Sequence, residues 1–372
     1  MRRPSTIRRG QMRHPNTIQK PPRTFVHQVP NSPPPRAGGY PAQVPPKLTI
    51  GCTLPAQSVA SEPAALAGLA QAAEDLGYDS LWLPDHVVIP ERIASSYPYS
   101  PDGRFPTPAT QPYLEPLAGL TYLSGVTKRV RLGTHVLILP YRHPLLTAKM
   151  VATLDIVSGG RVDLGIGVGW MREEFLALGL EERVFTRRGT ATDEQLRILK
   201  TVWTEDVASF EGEFYRFDRL GALPHPLQKP YPPIWVGGHS PAALRRTARY
   251  GDGWLPIGGR PPADLPPEAI KAGWATIQAE AERVGRDPTK LQLCFSTSVN
   301  FGPADVPRRP FSGSPEQIIA DFDSYRQVGV DSFLVGFGAR PLAEYEQRLR
   351  QFAAEVRPAL AARDQSQEKQ LA

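Results

Sequence analysis

Residues 130–167 read VRLGTHVLILPYRHPLLTAKMVATLDIVSGGRVDLGIG, and they contain a strand, a helix and a second strand. Val130–Leu139 is a long β-rich run. Leu145–Val157 has helical character and stops at Ser158-Gly159-Gly160, where glycine accepts the left-handed backbone that ends helices. Arg161–Gly167 is β-rich again. Two strands joined through a helix form a parallel pair with a right-handed crossover.

The alternation continues in both directions. Upstream, Leu48–Leu54 reads as a first strand and Glu62–Leu76 as a helix with Leu66, Leu69, Ala70 and Ala73 on one face. Asp79–Leu83 is the second strand, and Leu114–Ser124 is the helix before the third. Downstream of the fourth strand come helical stretches around 171–178 and 187–203. The fifth strand, Ile234–Val236, precedes a helix at Pro241–Tyr250, and the sixth, Gly253–Pro256, precedes one near 266–284. The seventh is Leu291–Asn300 with a helix at 315–328; the eighth is Ser332–Gly336, followed by a helix at 342–361.

Eight strands alternating with helices are the number that closes a (β/α)₈ TIM barrel. A doubly wound sheet would carry a phosphate fingerprint in its first turn, and here that turn is Pro55-Ala56-Gln57-Ser58. The expected fold is therefore the barrel, spanning 48–362. Its two extended connections are 84–113 after the second strand and 204–233 before the fifth. The latter reads in part as a hairpin, Ala208–Phe210 against Phe214–Phe217.

The net charge of +6 belongs to one end. Residues 1–47 hold nine Lys or Arg, no Asp or Glu, and 11 of the 41 prolines, leaving 34 basic against 37 acidic side chains elsewhere. A segment of this composition is expected to be a disordered tail. It reads as an inert leader, as a loose contact for polyanions or anionic lipid, or as a targeting segment. Without interleaved aromatics it is no specific nucleic-acid module. Residues 363–372 form a polar C-terminal tail. No apolar run has the length of a membrane span and none follows the basic start as in a signal peptide, so the cytoplasm is the expected compartment. Cys52 and Cys294 lie in strand-like stretches and are expected to be buried free thiols.

A barrel of this type places its site at the C-terminal ends of the strands. After the second strand stands Asp85-His86: a polar rim pair with a capping role, or an imidazole for proton transfer whose neighbour fixes a tautomer or binds a cofactor. After the fourth comes Gly165-Ile166-Gly167-Val168-Gly169, which is not a dinucleotide fingerprint because Trp170 holds the sixth position. It lets backbone approach a flat ring. After the fifth, Gly237-Gly238-His239-Ser240-Pro241 is either an ordinary capped turn or a helix N-terminus that receives a phosphate. No metal-binding spacing and no Gly-x-Ser-x-Gly elbow occurs.

Taken together, these blocks resemble the luciferase-like monooxygenase superfamily, and within it the members that use the deazaflavin coenzyme F420. The resemblance is carried by Ala73–Trp82, Pro84-Asp85-His86, Leu132–Leu137 with Pro140, and Leu154–Arg161. It continues through Gly165–Trp170 with Glu173-Glu174-Phe175, Pro233–Gly238 and Gly251–Trp254. It implies that Asp85 binds the coenzyme and His86 transfers a proton. It further implies a non-prolyl cis peptide between His135 and Val136 behind the ring, with backbone near Ile138, Val168-Gly169 and Gly237-Gly238 holding ring and phosphate. The sugar-phosphate dehydrogenases of this group place Glu where this chain has Trp170, so that substrate class is not expected. Trp170 and Trp254, with the aromatic-rich 84–113 segment, are expected to wall an apolar pocket.

The expected activity is hydride transfer between F420 and a small organic substrate. An FMN-dependent monooxygenase on the same fold is the alternative, and a cofactor-binding protein without turnover is a second. A small-molecule substrate is the expected partner; a homodimer is compatible with the sequence, and neither membrane nor metal is expected.

Overall fold

The computed structural model describes residues 48–55, 57, 62–303, 307–338 and 341–363. The two tails singled out above fall outside these residues, apart from Arg363.

The strands of the barrel are β1 (Thr49–Thr53), β2 (Ser80–Leu83), β3 (Arg131–Thr134) continued by β4 (Leu137–Ile138), and β5 (Val162–Gly167). A hairpin of β6 (Ala208–Glu211) and β7 (Arg216–Leu220) stands outside the barrel. Then follow β8 (Ile234–Gly237), β9 (Gly253–Leu255), β10 (Gln292–Ser298), the short β11 (Asn300–Phe301) and β12 (Ser312–Gly313), and β13 (Ser332–Gly336). The sheet runs β3-β2-β1-β13-β10-β9-β8-β5, and β3 closes onto β5 through Leu132↔Val162 and Gly133↔Asp163. Every pairing in this ring is parallel. It is a closed (β/α)₈ barrel.

The helices are α1 (Pro63–Asp75), α2 (Pro116–Val126), α3 (Pro144–Val157), α4 (Arg172–Ala177), α5 (Glu182–Thr186), α6 (Arg188–Thr204), α7 (Pro241–Tyr250), α8 (Pro267–Arg283), α9 (Pro315–Arg326) and α10 (Leu342–Glu355). α1 buries Leu66, Leu69, Ala70 and Ala73, the face its spacing predicted. The buried Glu74 carboxylate in the same helix accepts the backbone N–H groups of Lys128, Arg129 and Val130, which pins the entry to β3.

The lumen is filled, not hollow. Trp82 and Trp235 meet edge to face at 6.5 Å among Leu255, Cys294 and Leu334. Their indoles occupy the space that a Cβ would take at Gly133 and Gly253, 2.3 and 2.2 Å from the rings. Each large side chain thus lies over the glycine that pairs with it on the neighbouring strand. With the lumen closed below, only the rim can admit another molecule.

The β-rich run Val130–Leu139 reads as one long strand by its pattern alone. Instead β3 and β4 are separated by His135-Val136, and a 3-10 turn follows at Leu139–Tyr141. Residues 84–113 form a long connection without helix or strand. The hairpin suggested by the sequence is present, but its second strand is Arg216–Leu220 and not Phe214–Phe217, with Phe210 opposite Phe217.

Candidate functional site

The interruption of the third barrel strand builds a shelf at the rim. His135 N–H still bonds Leu83 O at 2.7 Å, and the His135–Val136 peptide is cis, as the resemblance implied. Pairing resumes at Leu137↔Ile166 and Ile138↔Gly167. Val136 is pushed inward against both Trp82 and the Ile138–Tyr141–Phe175 cluster. The glycines around it make that possible. A Cβ on Gly167 would lie 2.6 Å from Val136 Cγ2, and one on Gly237 would lie 3.2 Å from Val136 Cγ1. A Cβ on Gly169, whose φ is +80°, would meet Phe175 at 2.8 Å and Ile138 at 2.9 Å. The sequence reading gave these glycines to a ligand's approach; in the structure the space they leave is taken by the bulge itself.

Asp85, Val136, Ile138, Gly169 and Gly237 therefore share one rim. Asp85 is drawn into the framework of this rim. Its fully buried carboxylate accepts Ile138 N–H at 2.9 Å and both terminal nitrogens of Arg142 at 2.7 and 2.8 Å. Arg142 also binds Glu115 at 2.8 Å. Burial opposes the guanidinium charge, but the bonds to Asp85 and Glu115 outweigh it and raise its pKa. These bonds tie Asp85 to the shelf through Ile138 and Arg142.

His86 is buried beside it. Its Nδ1 lies 2.7 Å from Oε2 of Glu174, a fully buried carboxylate on α4. Glu174 also accepts the Tyr141 hydroxyl at 2.9 Å and the backbone N–H groups of Val87 and Val88 at 2.7 and 3.2 Å. A carboxylate only accepts, so the imidazole proton sits on Nδ1 and Nε2 keeps its lone pair. Nε2 has no protein partner among the described residues. Phe105 and Tyr113 flank the ring at 4.8 and 5.3 Å between centroids. A pocket of about 320 Å³ opens here, lined by His86, Val87, Val88, Ile89 and Tyr113 among others. A larger cavity, about 810 Å³, lies toward α9 and is lined by Arg308, already bound to Asp321; it holds none of the residues the sequence singled out.

Trp170 joins Tyr97 and Phe105 at 5.1 and 5.4 Å, so the expected aromatic wall is present. Trp254 is not part of it. The indole is 1% exposed, donates to Gly238 O at 2.8 Å and covers Gly273 of α8, while the next residue, Leu255, faces the lumen. Trp254 therefore packs between barrel and helices. Gly238, at φ +91°, and Ser240, which caps Ala243 N–H, form the start of α7 as the sequence suggested, with Val168 and Gly237 half-buried nearby. His135 is the other notable side chain: its Nε2 is buried without a partner. Burial, then the charge of Arg260, pushes this imidazole down to about 3, so it is neutral.

Glu174, Arg142, Tyr141 and Arg260 were not assigned roles from sequence. Glu174 had one signal, its place in the first turn of the helix after the glycine run. Among the described residues no cluster of His, Cys, Asp or Glu could hold a metal, and no helix is long and apolar enough to cross a membrane.

Comparison with known proteins agrees with this architecture. An uncharacterised protein of Mycobacterium tuberculosis is 40% identical over 193 residues, which cover 52% of this chain and 65% of that one. An F420-dependent glucose-6-phosphate dehydrogenase of Nakamurella multipartita is 31% identical over 258 residues, 69% of each chain. The crystal structure of a monooxygenase from Streptomyces bottropensis superposes with a TM-score of 0.67 at 22% identity, covering 84% of this chain and all of that one. The family model for luciferase-like monooxygenases matches residues 48–306, and the chain belongs to that family.

Proposed function

We propose that this protein is an F420-dependent oxidoreductase that transfers a hydride between the deazaflavin and a small organic substrate. The observation that carries the reading is His86: an imidazole fixed at Nδ1 by the buried Glu174, with an open Nε2 beside an apolar shelf at the barrel rim. Shelf and helix start fit a flat ring with a phosphate. Val136, Ile138 and Val168-Gly169 would support the ring, with the sealed, unpartnered His135 Nε2 next to it, and Gly237-Gly238 at the start of α7 would receive the phosphate. When bound, the deazaflavin supplies the two-electron chemistry.

The chain's own residues do the rest. Asp85 and Arg142 keep the shelf rigid through Ile138. His86 accepts or returns a proton at Nε2, and Tyr97, Phe105 and Trp170 keep water from the reacting face. The relative named as an F420-dependent dehydrogenase supports the choice of cofactor. Trp170, standing where the sugar-phosphate dehydrogenases place Glu, argues for a substrate other than a sugar phosphate. FMN with oxygen is the second reading, because a shelf of backbone and aliphatic groups does not discriminate between the two rings.

The test is titration of the purified protein with F420 and with FMN, followed by re-oxidation of each reduced complex with and without oxygen. Tighter F420 binding, and re-oxidation that needs an organic acceptor and ignores oxygen, is the expected result. FMN preference with oxygen-dependent turnover would overturn it.

A further inference from the structure

Among the described residues, the guanidinium of one rim arginine meets neither a carboxylate nor a backbone carbonyl. Other guanidiniums drawn into the barrel are answered, Arg142 by Asp85 and Glu115, Arg131 by Asp163 and Arg246 by Asp193, while Arg161 and Arg188 bond backbone carbonyls. Arg260 follows β9 in the turn Gly258-Gly259-Arg260, half-buried, and forms no ion pair among the described residues. Its Nε is sealed from solvent and has no acceptor. The guanidinium lies 5.3 Å over the Tyr99 ring and within reach of the Tyr97 hydroxyl, and its charge is felt at the neutral His135. Taking a cation partly out of water with no counter-charge and one N–H unanswered costs free energy, and such a group is explained when a ligand supplies the missing charge.

The surroundings say what kind of ligand. Tyr97 touches Phe105 at 5.2 Å and Trp170 at 5.1 Å, and Phe105 touches His86 at 4.8 Å. The rings form one continuous surface from the guanidinium to the imidazole. An arginine fork matches a carboxylate with two parallel hydrogen bonds.

We propose that Arg260 selects the substrate by receiving the carboxylate of a small, otherwise apolar organic acid, whose body lies along Tyr97, Phe105 and Trp170 toward His86. The proposal deepens the reading of the rim as a redox site and rests on it. It commits to the substrate's acid, although an acidic group of the cofactor shares the same chemistry.

The experiment uses the full chain without cofactor and two probes of nearly equal shape, benzoate and its neutral counterpart benzamide, titrated by calorimetry into the wild-type protein and Arg260→Gln. The wild type should bind benzoate at least tenfold more tightly than benzamide, and the variant should lose that preference. Equal affinity of the wild type for both probes overturns the proposal without any variant having to fold. The melting temperature of R260Q should hold or rise, because the ligand-free protein gives the sealed Nε no partner. A marked fall with benzoate binding unchanged would make Arg260 a packing residue on Tyr99 and overturn the proposal. F420 and FMN are titrated into both proteins as a separate arm. A loss of cofactor affinity in R260Q without a loss of benzoate affinity would assign the guanidinium to the cofactor, again overturning it. Benzoate selectivity in a wild-type protein that binds neither cofactor would instead defeat the redox reading while leaving the anion site in place.

Discussion

Glu174 offers the sharpest test of the rim, because one atom exchange inverts what His86 presents. In Glu174→Gln one carbonyl oxygen remains for the Val87 and Val88 N–H groups, while the other oxygen becomes an NH₂. That amide can only donate to His86 Nδ1, so the ring proton must move to Nε2, and the lone pair at the mouth is lost. The Tyr141 hydroxyl must also turn to become an acceptor. Replacing charge-assisted bonds with neutral ones should lower stability by about 1–3 kcal/mol. Glu174→Ala abandons four donors at once, His86 and Tyr141 among them buried, and should cost about 3–5 kcal/mol, the scale of losing one side of a buried polar pair. If His86 works through Nε2, E174Q should forfeit most of the roughly 10²–10⁴-fold contribution of an acid–base group. The measurements are turnover per cofactor-bound molecule, urea denaturation, and ¹⁵N spectra that report which ring nitrogen carries the proton. A merely structural Glu174 would change the denaturation midpoint and, with the tautomer inverted, leave turnover per cofactor-bound molecule alone. Wild-type turnover in an E174Q protein whose tautomer is demonstrably inverted would refute proton transfer through Nε2.

His86→Ala should lower turnover by roughly 10²–10⁴-fold per cofactor-bound molecule while cofactor affinity falls far less, and unchanged turnover on that basis would leave the imidazole a packing residue. Burial pushes the Asp331 carboxyl up to about 6 from an ordinary 3.8, so the fold binds this proton more tightly than the unfolded chain does. Its contribution is therefore complete below about pH 4 and lost as pH rises through about 6, a difference of roughly 3 kcal/mol. Asp331→Asn should accordingly be the more stable protein at pH 7.5, with the gap closing by pH 4 in urea denaturation; a constant gap would contradict the assignment. Burial pushes the Cys294 thiol up to about 12 and the Cys52 thiol higher still, so neither should react with a thiol reagent in the native protein and both should react after unfolding.

The barrel could be read from sequence because its evidence is local. Each strand and helix announces itself by period and punctuation, and eight repeats of one unit leave few topologies. The site was readable only at the level of which turns meet. His86 and Glu174 are 88 positions apart, and Asp85 and Arg142 are 57 apart. No periodicity links a strand-two turn to a helix after strand four; closure of the barrel does. The contact of Asp85 with Arg142 was out of reach of the sequence for that reason. Trp254 was misassigned for a different one: a three-residue strand has too little alternation to say which face looks inward, and Leu255 turned out to own the lumen.

The glycine run carries the larger lesson about how this rim is built. Gly167, Gly169 and Gly237 do not simply stand aside for a ligand; a Cβ at any of them would collide with or crowd Val136, Ile138 or Phe175. The bulge and the glycines are thus one packing unit, and the indoles of Trp82 and Trp235 seal the lumen beneath it. A molecule can only rest on the shelf, so every group that acts on it must come from the connections above. His86 is brought by one such connection and locked from another by Glu174, while Arg260 is brought by a third and answered by no carboxylate among the described residues. On the proposed function, binding of the ring would depend on the shelf, proton transfer on the His86–Glu174 pair, and choice of substrate on Arg260. Substitutions in the three groups should therefore separate into three kinetic classes.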